Sequence, residues 1–266
     1  MAQSCGFTVK SALAISGILL GLAAGSAMAT TVTTSSVSLP NGSTTVNIND
    51  TLSGQSSIDQ NGQGVITGTI GLQTTIGALN TYCVDLFDYI NLGSTVATFN
   101  QNVLAAGETF QAGATNGTFT QAQVTRLTAL LTNGSLQPQS TINTAALQIA
   151  IWEIEYDTPT GGVYNLTNTD SFYFSHTSDS NSVAALNQAQ VYLNDVTNST
   201  WTTDANHYIE FLTSTTGNVQ DLIYLATGSV ATPEPSTVAV FGIGLIGLWA
   251  ARRRKKIGRA SWRERV

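Results

Sequence analysis

Between Thr30 and Thr232 this 266-residue sequence has no lysine, and Arg126 is its one basic residue. Fourteen Asp and Glu residues share that span, so its net charge of −13 is hidden behind a whole-chain value of −6. A field of that sign repels phosphate backbones and excludes nucleic acid as a partner. Cysteine is scarce too: the chain holds Cys5 and Cys83. No G-x-S-x-G, H-E-x-x-H or phosphate-binding loop occurs, and His176 and His207 lack metal-ligand spacing. Glu153, Glu155 and Asp157 cluster, but on a helix Glu153 and Asp157 share a face that Glu155 does not, which is no glycosidase pair. Neither an enzyme nor a metal or cofactor site is expected.

The two ends carry the clearest signals. Lys10 precedes an apolar run from Ala12 to Ala24, and Ala27-Met28-Ala29 supplies an A-x-A cleavage pattern. Residues 1–29 therefore read as a signal peptide, with Thr30 as the mature amino terminus. Cys5 leaves with that segment, and Cys83 remains as the lone thiol of an exported chain. It can close no internal disulfide, so it is either buried or chemically employed.

At the other end stand Thr232-Pro233-Glu234-Pro235-Ser236, an apolar run from Thr237 to Ala251, and Arg252-Arg253-Arg254-Lys255-Lys256. As a helix the apolar run is about 22 Å long at 1.5 Å per residue. That is short of the roughly 20 residues of a stable membrane span. The basic cluster should stay cytoplasmic. The tail Ile257 to Val266 resembles translated sequencing-adapter read-through and is set aside.

The body divides by periodicity. Val37 and Leu39, the turn Pro40-Asn41-Gly42 and the alternation through Ile48 predict a hairpin, with a Ser/Thr-rich linker as the alternative. Strands are expected at Val65 to Leu72 and Leu79 to Ile90, after an Asn61-Gly62 turn. Helical spacing follows from Thr120 to Asn133-Gly134, from Asn143 to Tyr156 and from Ser182 to Val196. The second helix is apolar around much of its circumference and should be deeply packed. Tyr164 to His176 reads as irregular and aromatic, and Tyr208 to Leu212 with Asp221 to Leu225 as a closing hairpin around the turn at 216–218. Strands, then helices, then strands predict an α+β fold whose terminal strands share a sheet. The expected plan is a signal peptide (1–29), a β-rich exported domain with a helical subdomain (30–231), and one C-terminal transmembrane or sorting helix in the segment 232–256. Residues 257–266 stand outside it.

The triplet Pro233-Glu234-Pro235, the single apolar helix and the basic terminus with Arg252, Arg253 and Arg254 together resemble the PEP-CTERM sorting signal. The resemblance implies recognition and cleavage by an exosortase-type membrane protease, with a transient inner-membrane intermediate. The mature protein would be secreted to the cell surface or into an exopolysaccharide matrix.

Two further stretches, Tyr82-Cys83-Val84-Asp85 and Ala146-Leu147-Gln148-Ile149-Ala150-Ile151-Trp152, resemble the half-motifs of bacterial surface thioester domains. The resemblance implies an internal thioester between the Cys83 sulfur and the Gln148 side-chain carbonyl, with Tyr82, Asp85, Trp152 and Glu153 as a supporting shell. A target amine or hydroxyl could then be joined to Gln148, freeing Cys83. The chemistry needs a thiol held at near-attack distance from a carboxamide carbon, shielded from water. The alternative is a non-catalytic structural or binding protein of the matrix in which Cys83 is an inert buried side chain.

Overall fold

The computed structural model describes residues 30–50, 64–86, 88, 90–93, 96–112, 115–167, 172–215 and 219–228. The signal peptide, the Asn61-Gly62 turn, the turn at 216–218, the sorting segment with Pro233, Glu234, Pro235, Arg252, Arg253 and Arg254, and the tail lie outside them. Eleven strands and three helices follow one another within the described residues. They are β1 (Thr30–Ser38), β2 (Thr44–Asp50), β3 (Val65–Thr67), β4 (Ile70–Thr74), β5 (Gly77–Cys83), β6 (Thr98–Val103), β7 (Thr109–Ala112) and β8 (Thr115–Thr118). Then come α1 (Gln121–Gly134), α2 (Thr141–Tyr156), β9 (Phe172–His176), α3 (Ser182–Thr197), β10 (His207–Ser214) and β11 (Leu222–Thr227).

Six strands close an antiparallel barrel in the order β1-β4-β5-β11-β10-β6. A separate sheet has the order β3-β2-β9, and β7 with β8 forms a two-stranded ribbon. The fold is α+β, and both chain-terminal strand regions, β1 and β10–β11, share the barrel as expected. No helix among the described residues is long and apolar enough to cross a membrane.

The helices begin where local chemistry starts them. The Thr120 hydroxyl accepts from the Gln123 amide while the Gln123 side chain accepts from the Thr120 amide, a reciprocal capping box on α1. Ser140 caps α2 by accepting from the Asn143 N–H. Every residue of α2 from Thr144 to Tyr156 is buried, because α1, α3 and both β2 and β3 pack around it. A helix apolar on all sides has no other stable place than the middle.

Four sequence expectations change. The first turn forms, with Gly42 at φ +76° and its N–H on the Leu39 carbonyl, but it is no hairpin. β1 pairs with β4 and β6, and β2 with β3 and β9, so the turn passes the chain from barrel to second sheet. The strand expected over Val65 to Leu72 is split at Gly68, where φ is +154° and a Cβ would stand 2.8 Å from the Gly42 carbonyl oxygen. Only glycine fits such a close approach. The strand expected to reach Ile90 ends at Cys83. Tyr164 to His176 contains β9, whose Phe172 and Phe174 are buried in the core. The polar strands β6, β7 and β8 had no apolar alternation to announce them.

An aromatic row ties the parts together. Phe211 on β10, Phe119, Phe110 on β7, Tyr156 and Phe172 have successive ring centroids 5.9, 4.7, 5.5 and 5.3 Å apart. Edge-on and offset pairs of this kind add to the area they bury. The row fixes Tyr156, whose hydroxyl accepts from the Leu86 N–H at 3.2 Å and donates to the Val84 carbonyl at 3.2 Å. The segment that leaves β5 after Cys83 is thereby laid along α2.

Candidate functional site

Cys83 is the last residue of β5, opposite Leu222 of β11, and is 6% exposed. Its main chain is held by Gln148: the Cys83 N–H donates to Gln148 Oε1 at 2.7 Å, and Gln148 Nε2 donates to the Cys83 carbonyl at 2.7 Å. The N–H and C=O of one strand residue point to the same edge, here the edge that β4 vacates beyond Gly68. The Gln148 carboxamide, carried on α2, stands in for the missing strand. Both atoms of that amide are committed to the backbone.

The sulfur faces a different glutamine. Cys83 Sγ donates to Gln220 Oε1 at 2.8 Å, and Gln220 Nε2 donates to the Asp85 carbonyl. With a C=O bond of about 1.23 Å, the Gln220 carboxamide carbon lies within about 4 Å of the sulfur. Reacting atoms about 3–3.5 Å apart make a near-attack pair. Gln220 lies two residues before β11, and Asp221 beside it accepts from the Ser214 N–H at 2.7 Å while its carbonyl accepts from the Val84 N–H. The β10–β11 hairpin thus carries the amide to the thiol.

A cavity of about 230 Å³, partly open to solvent, contains this arrangement. Cys83, Gln148, Gln220 and Trp152 line it, with aliphatic walls from Leu39, Val65, Ile70, Leu86 and Ile90. Ile66 and Leu92 stand at its mouth, 55% and 52% exposed. Among the described residues of its lining, Asp88 is the charged one. Such walls exclude loosely held water from the sulfur and the amide carbon.

The electrostatics follow from burial among acids. Burial first, then the Asp85 and Glu155 charges, push the Cys83 thiol well above its ordinary value. Glu155 is raised well above the carboxylate range by burial, then by Asp85 and Asp221. Asp221 rises to about 6, chiefly by burial, against the opposing Ser214 hydrogen bond.

The structure thus brings Cys83, Gln148, Trp152 and the Asp85 main chain to one place. The Asp85 carboxylate is buried beside it and accepts from the Asp88 N–H at 3.2 Å. Tyr82 points the other way, as alternation along a strand requires, and its hydroxyl accepts from Thr69 at 3.2 Å. Glu153 is fully buried but does not line the cavity. Gln220 is the residue that sequence reasoning passed over: an amide just ahead of the closing strand, with nothing in its periodicity to mark it. Among the described residues no group of three or more His, Cys, Asp and Glu side chains could hold a metal ion.

A closed barrel joined to a helical subdomain, with a buried cysteine and two glutamines in an apolar cavity, is the class of protein that fold and site define. Residues 231–255 match the family model of the PEP-CTERM protein-sorting motif, so the chain carries that sorting signal. No curated protein sequence matches the chain.

Among solved structures, it is similar to the N-terminal domain of the pilus tip adhesin Cpa of Streptococcus pyogenes. The identity is 14% and the TM-score 0.41, over 72% of this chain and 100% of that one. It is also similar to the N-terminal thioester domain of the fibronectin-binding protein SfbI of the same organism, at 12% identity and TM-score 0.42, over 73% and 100% of the two chains. The N-terminal thioester domain of a Clostridium perfringens surface protein is similar at 10% identity and TM-score 0.38, covering 68% of this chain and 98% of that one.

Proposed function

We propose that this is an exported surface protein that forms an internal thioester between Cys83 and Gln220 and uses it to attach covalently to a target. The observation that carries the reading is the 2.8 Å contact between Cys83 Sγ and Gln220 Oε1 inside an apolar cavity. Gln148, whose amide is spent on the Cys83 main chain, positions the nucleophile rather than receiving its attack. On formation the thiol proton leaves with the amide nitrogen as ammonia, and an Sγ–Cδ bond replaces Cδ–Nε2. A surface amine or hydroxyl, including one on exopolysaccharide, then adds at Cδ. The target joins Gln220, and its proton goes to the released Cys83 thiol.

Each molecule reacts once, so the role is stoichiometric and not enzymatic. A signal peptide in residues 1–29 and cleavage of the sorting segment by an exosortase-type membrane protease would bring the body through an inner-membrane intermediate. It would then reach the cell surface or the extracellular matrix.

A second reading draws on the raised Cys83 thiol. Burial and two neighbouring acids disfavour the thiolate, which suits an inert side chain in a structural or binding protein of the matrix. Intact mass separates the two. The full chain, expressed with its signal and sorting segments and purified in detergent, is expected to weigh about 17 Da less than its processed sequence, one ammonia, with no titratable Cys83 thiol. Full mass with a titratable thiol would leave only the second reading.

A further inference from the structure

β5 and β11 meet along a seam that is only partly closed. Their ladder pairs Cys83 with Leu222 and Tyr82 with Ile223 and goes no further, although β5 reaches back to Gly77 and β11 runs on to Thr227. On their other sides both strands are paired to those ends, β5 with β4 and β11 with β10. Beyond Tyr82 the seam opens as a fork around a second cavity of about 520 Å³, partly open to solvent. Ala78 and Asn80 line it from β5, and Leu225 and Thr227 from β11. Burial follows the fork: Tyr82 and Ile223 are buried, whereas Ala78, Asn80 and Thr227 are exposed.

Alternation tells which main-chain groups the fork leaves open. The Cys83 N–H and C=O point to the β4 side, so those of Asn80 and Ala78 point towards β11. The Asp221 carbonyl accepts from the Val84 N–H across the seam, so Leu225 and Thr227, in step with Asp221, point towards β5. Continued, the register would set Asn80 against Leu225 and Ala78 against Thr227, but the ladder has already stopped. The remaining wall is the end of α1 and the turn after it, with Leu131, Ser135 and Gln139. Its polar side chains bond to their own segment. Ser135 Oγ donates to the Thr132 carbonyl at 3.0 Å, and Gln139 Nε2 donates to the Ser135 and Gln137 carbonyls at 3.4 and 3.0 Å. Donors and acceptors left open at strand spacing are a template for another extended chain.

Charge selects among extended chains. The lining of the fork is uncharged among the described residues, while the body around it carries −13 with no lysine. A second copy brings the same charge and is repelled, whereas a segment rich in lysine or arginine is attracted. We propose that the β5–β11 fork is a docking site for an extended, basic segment of a partner polypeptide, which adds there as a short strand. Its main chain bonds to Leu225 and Thr227 on one side and to Asn80 and Ala78 on the other. Its basic side chains lie outside the cleft, in the field of the acidic body. The closed end of the same seam holds Cys83, but the docking does not depend on the thioester.

The probe is the peptide Arg-Arg-Thr-Val-Thr-Val-Thr-Arg-Arg, capped at its amine with fluorescein so that nothing in it can be captured covalently. Fluorescence anisotropy with the full chain in detergent is expected to show saturable binding. Proline in place of both valines keeps the charge and removes two strand N–H groups, and should weaken binding by about tenfold or more. Thr227→Pro removes a seam-facing N–H without touching the ladder to β10, and should weaken binding about tenfold with melting unchanged. Asn80→Arg sets a like charge in the fork and should weaken it at least as much. Equal binding of the valine and proline peptides would mean charge alone and would overturn the proposal. So would the absence of saturable binding, or binding unchanged in Asn80→Arg, which decides alone should Thr227→Pro lose its cooperative melting. Displacement of the probe by a peptide of residues 229–236 would give the fork to the chain's own continuation. A sedimenting dimer that the probe dissolves would give it to a second copy, and either result overturns the proposal.

Discussion

Gln148 and Gln220 reach the same cysteine from opposite parts of the fold, one from the central helix α2 and one from the β10–β11 hairpin. The helix-borne amide gives both of its polar atoms to the Cys83 backbone and completes a broken sheet edge. The hairpin-borne amide puts its carbonyl against the sulfur and its nitrogen on the Asp85 carbonyl. A two-point hydrogen bond to the main chain fixes a residue in space, whereas a carbonyl beside a thiol is an electrophile in waiting. Residue type is the same in both cases, and the partner atom alone separates scaffold from reactant.

The sharpest way to break this comparison is Gln220→Ala, which is expected to abolish the ammonia loss and leave Cys83 fully titratable. Retained mass loss in Gln220→Ala but not in Gln148→Ala would exchange the two roles. Next in size is the helix side. Trp152 is 1% exposed, and Trp152→Ala should cost about 3–5 kcal/mol in chemical denaturation, in line with large aromatic-to-alanine changes in cores.

Gln148→Ala should cost about 2–4 kcal/mol, since it leaves a buried N–H and a buried carbonyl of Cys83 without partners. It is expected to slow the ammonia loss without removing it, because Gln220 remains at the sulfur.

On the hairpin side, Asp221 has its folded pKa raised to about 6 from 3.8. At Asp221 the folded state therefore binds more protons than the unfolded one between those values, and the Asp221 contribution to stability falls as pH rises through the window, then levels above about 6. Asp221→Asn, which can still accept from Ser214, should flatten that slope and stabilise by about 2 kcal/mol at neutral pH. A slope unchanged in Asp221→Asn would assign it to another acid. Smallest is Thr120→Ala, which removes the α1 cap and should cost about 1 kcal/mol with the ammonia loss intact.

Much of the helical half was legible beforehand, because its signals are local. Thr120 with Gln123 starts a helix by bonding to its own first turn, and the buried run from Thr144 to Tyr156 needs no knowledge of its neighbours to read as a central helix. The closing strands β10 and β11 were legible for the same reason, pairing across a short turn. The Pro40-Asn41-Gly42 turn was read correctly and its strands were paired wrongly. A turn constrains four residues, while the choice of partner for β1 and β2 is made by strands at residue 65 and beyond. Strands β6 to β8, rich in Thr, Asn and Gln, carry almost no pattern of their own and exist because neighbours satisfy their backbone.

By itself the amino-acid sequence determined the acidic, lysine-free body with its single cysteine, Cys83, the sorting motif at residues 231–255 and the helices. By resemblance it also named Gln148 as the thioester partner of that cysteine, although the Gln148 amide binds the Cys83 main chain. Tertiary structure alone decided which glutamine meets the sulfur. Cys83 and Gln220 are 137 positions apart, and only the closing of β11 against β5 brings thiol and amide together. No local propensity encodes that contact, since a side chain's partner across a barrel is set by register and packing rather than by its neighbours in the chain.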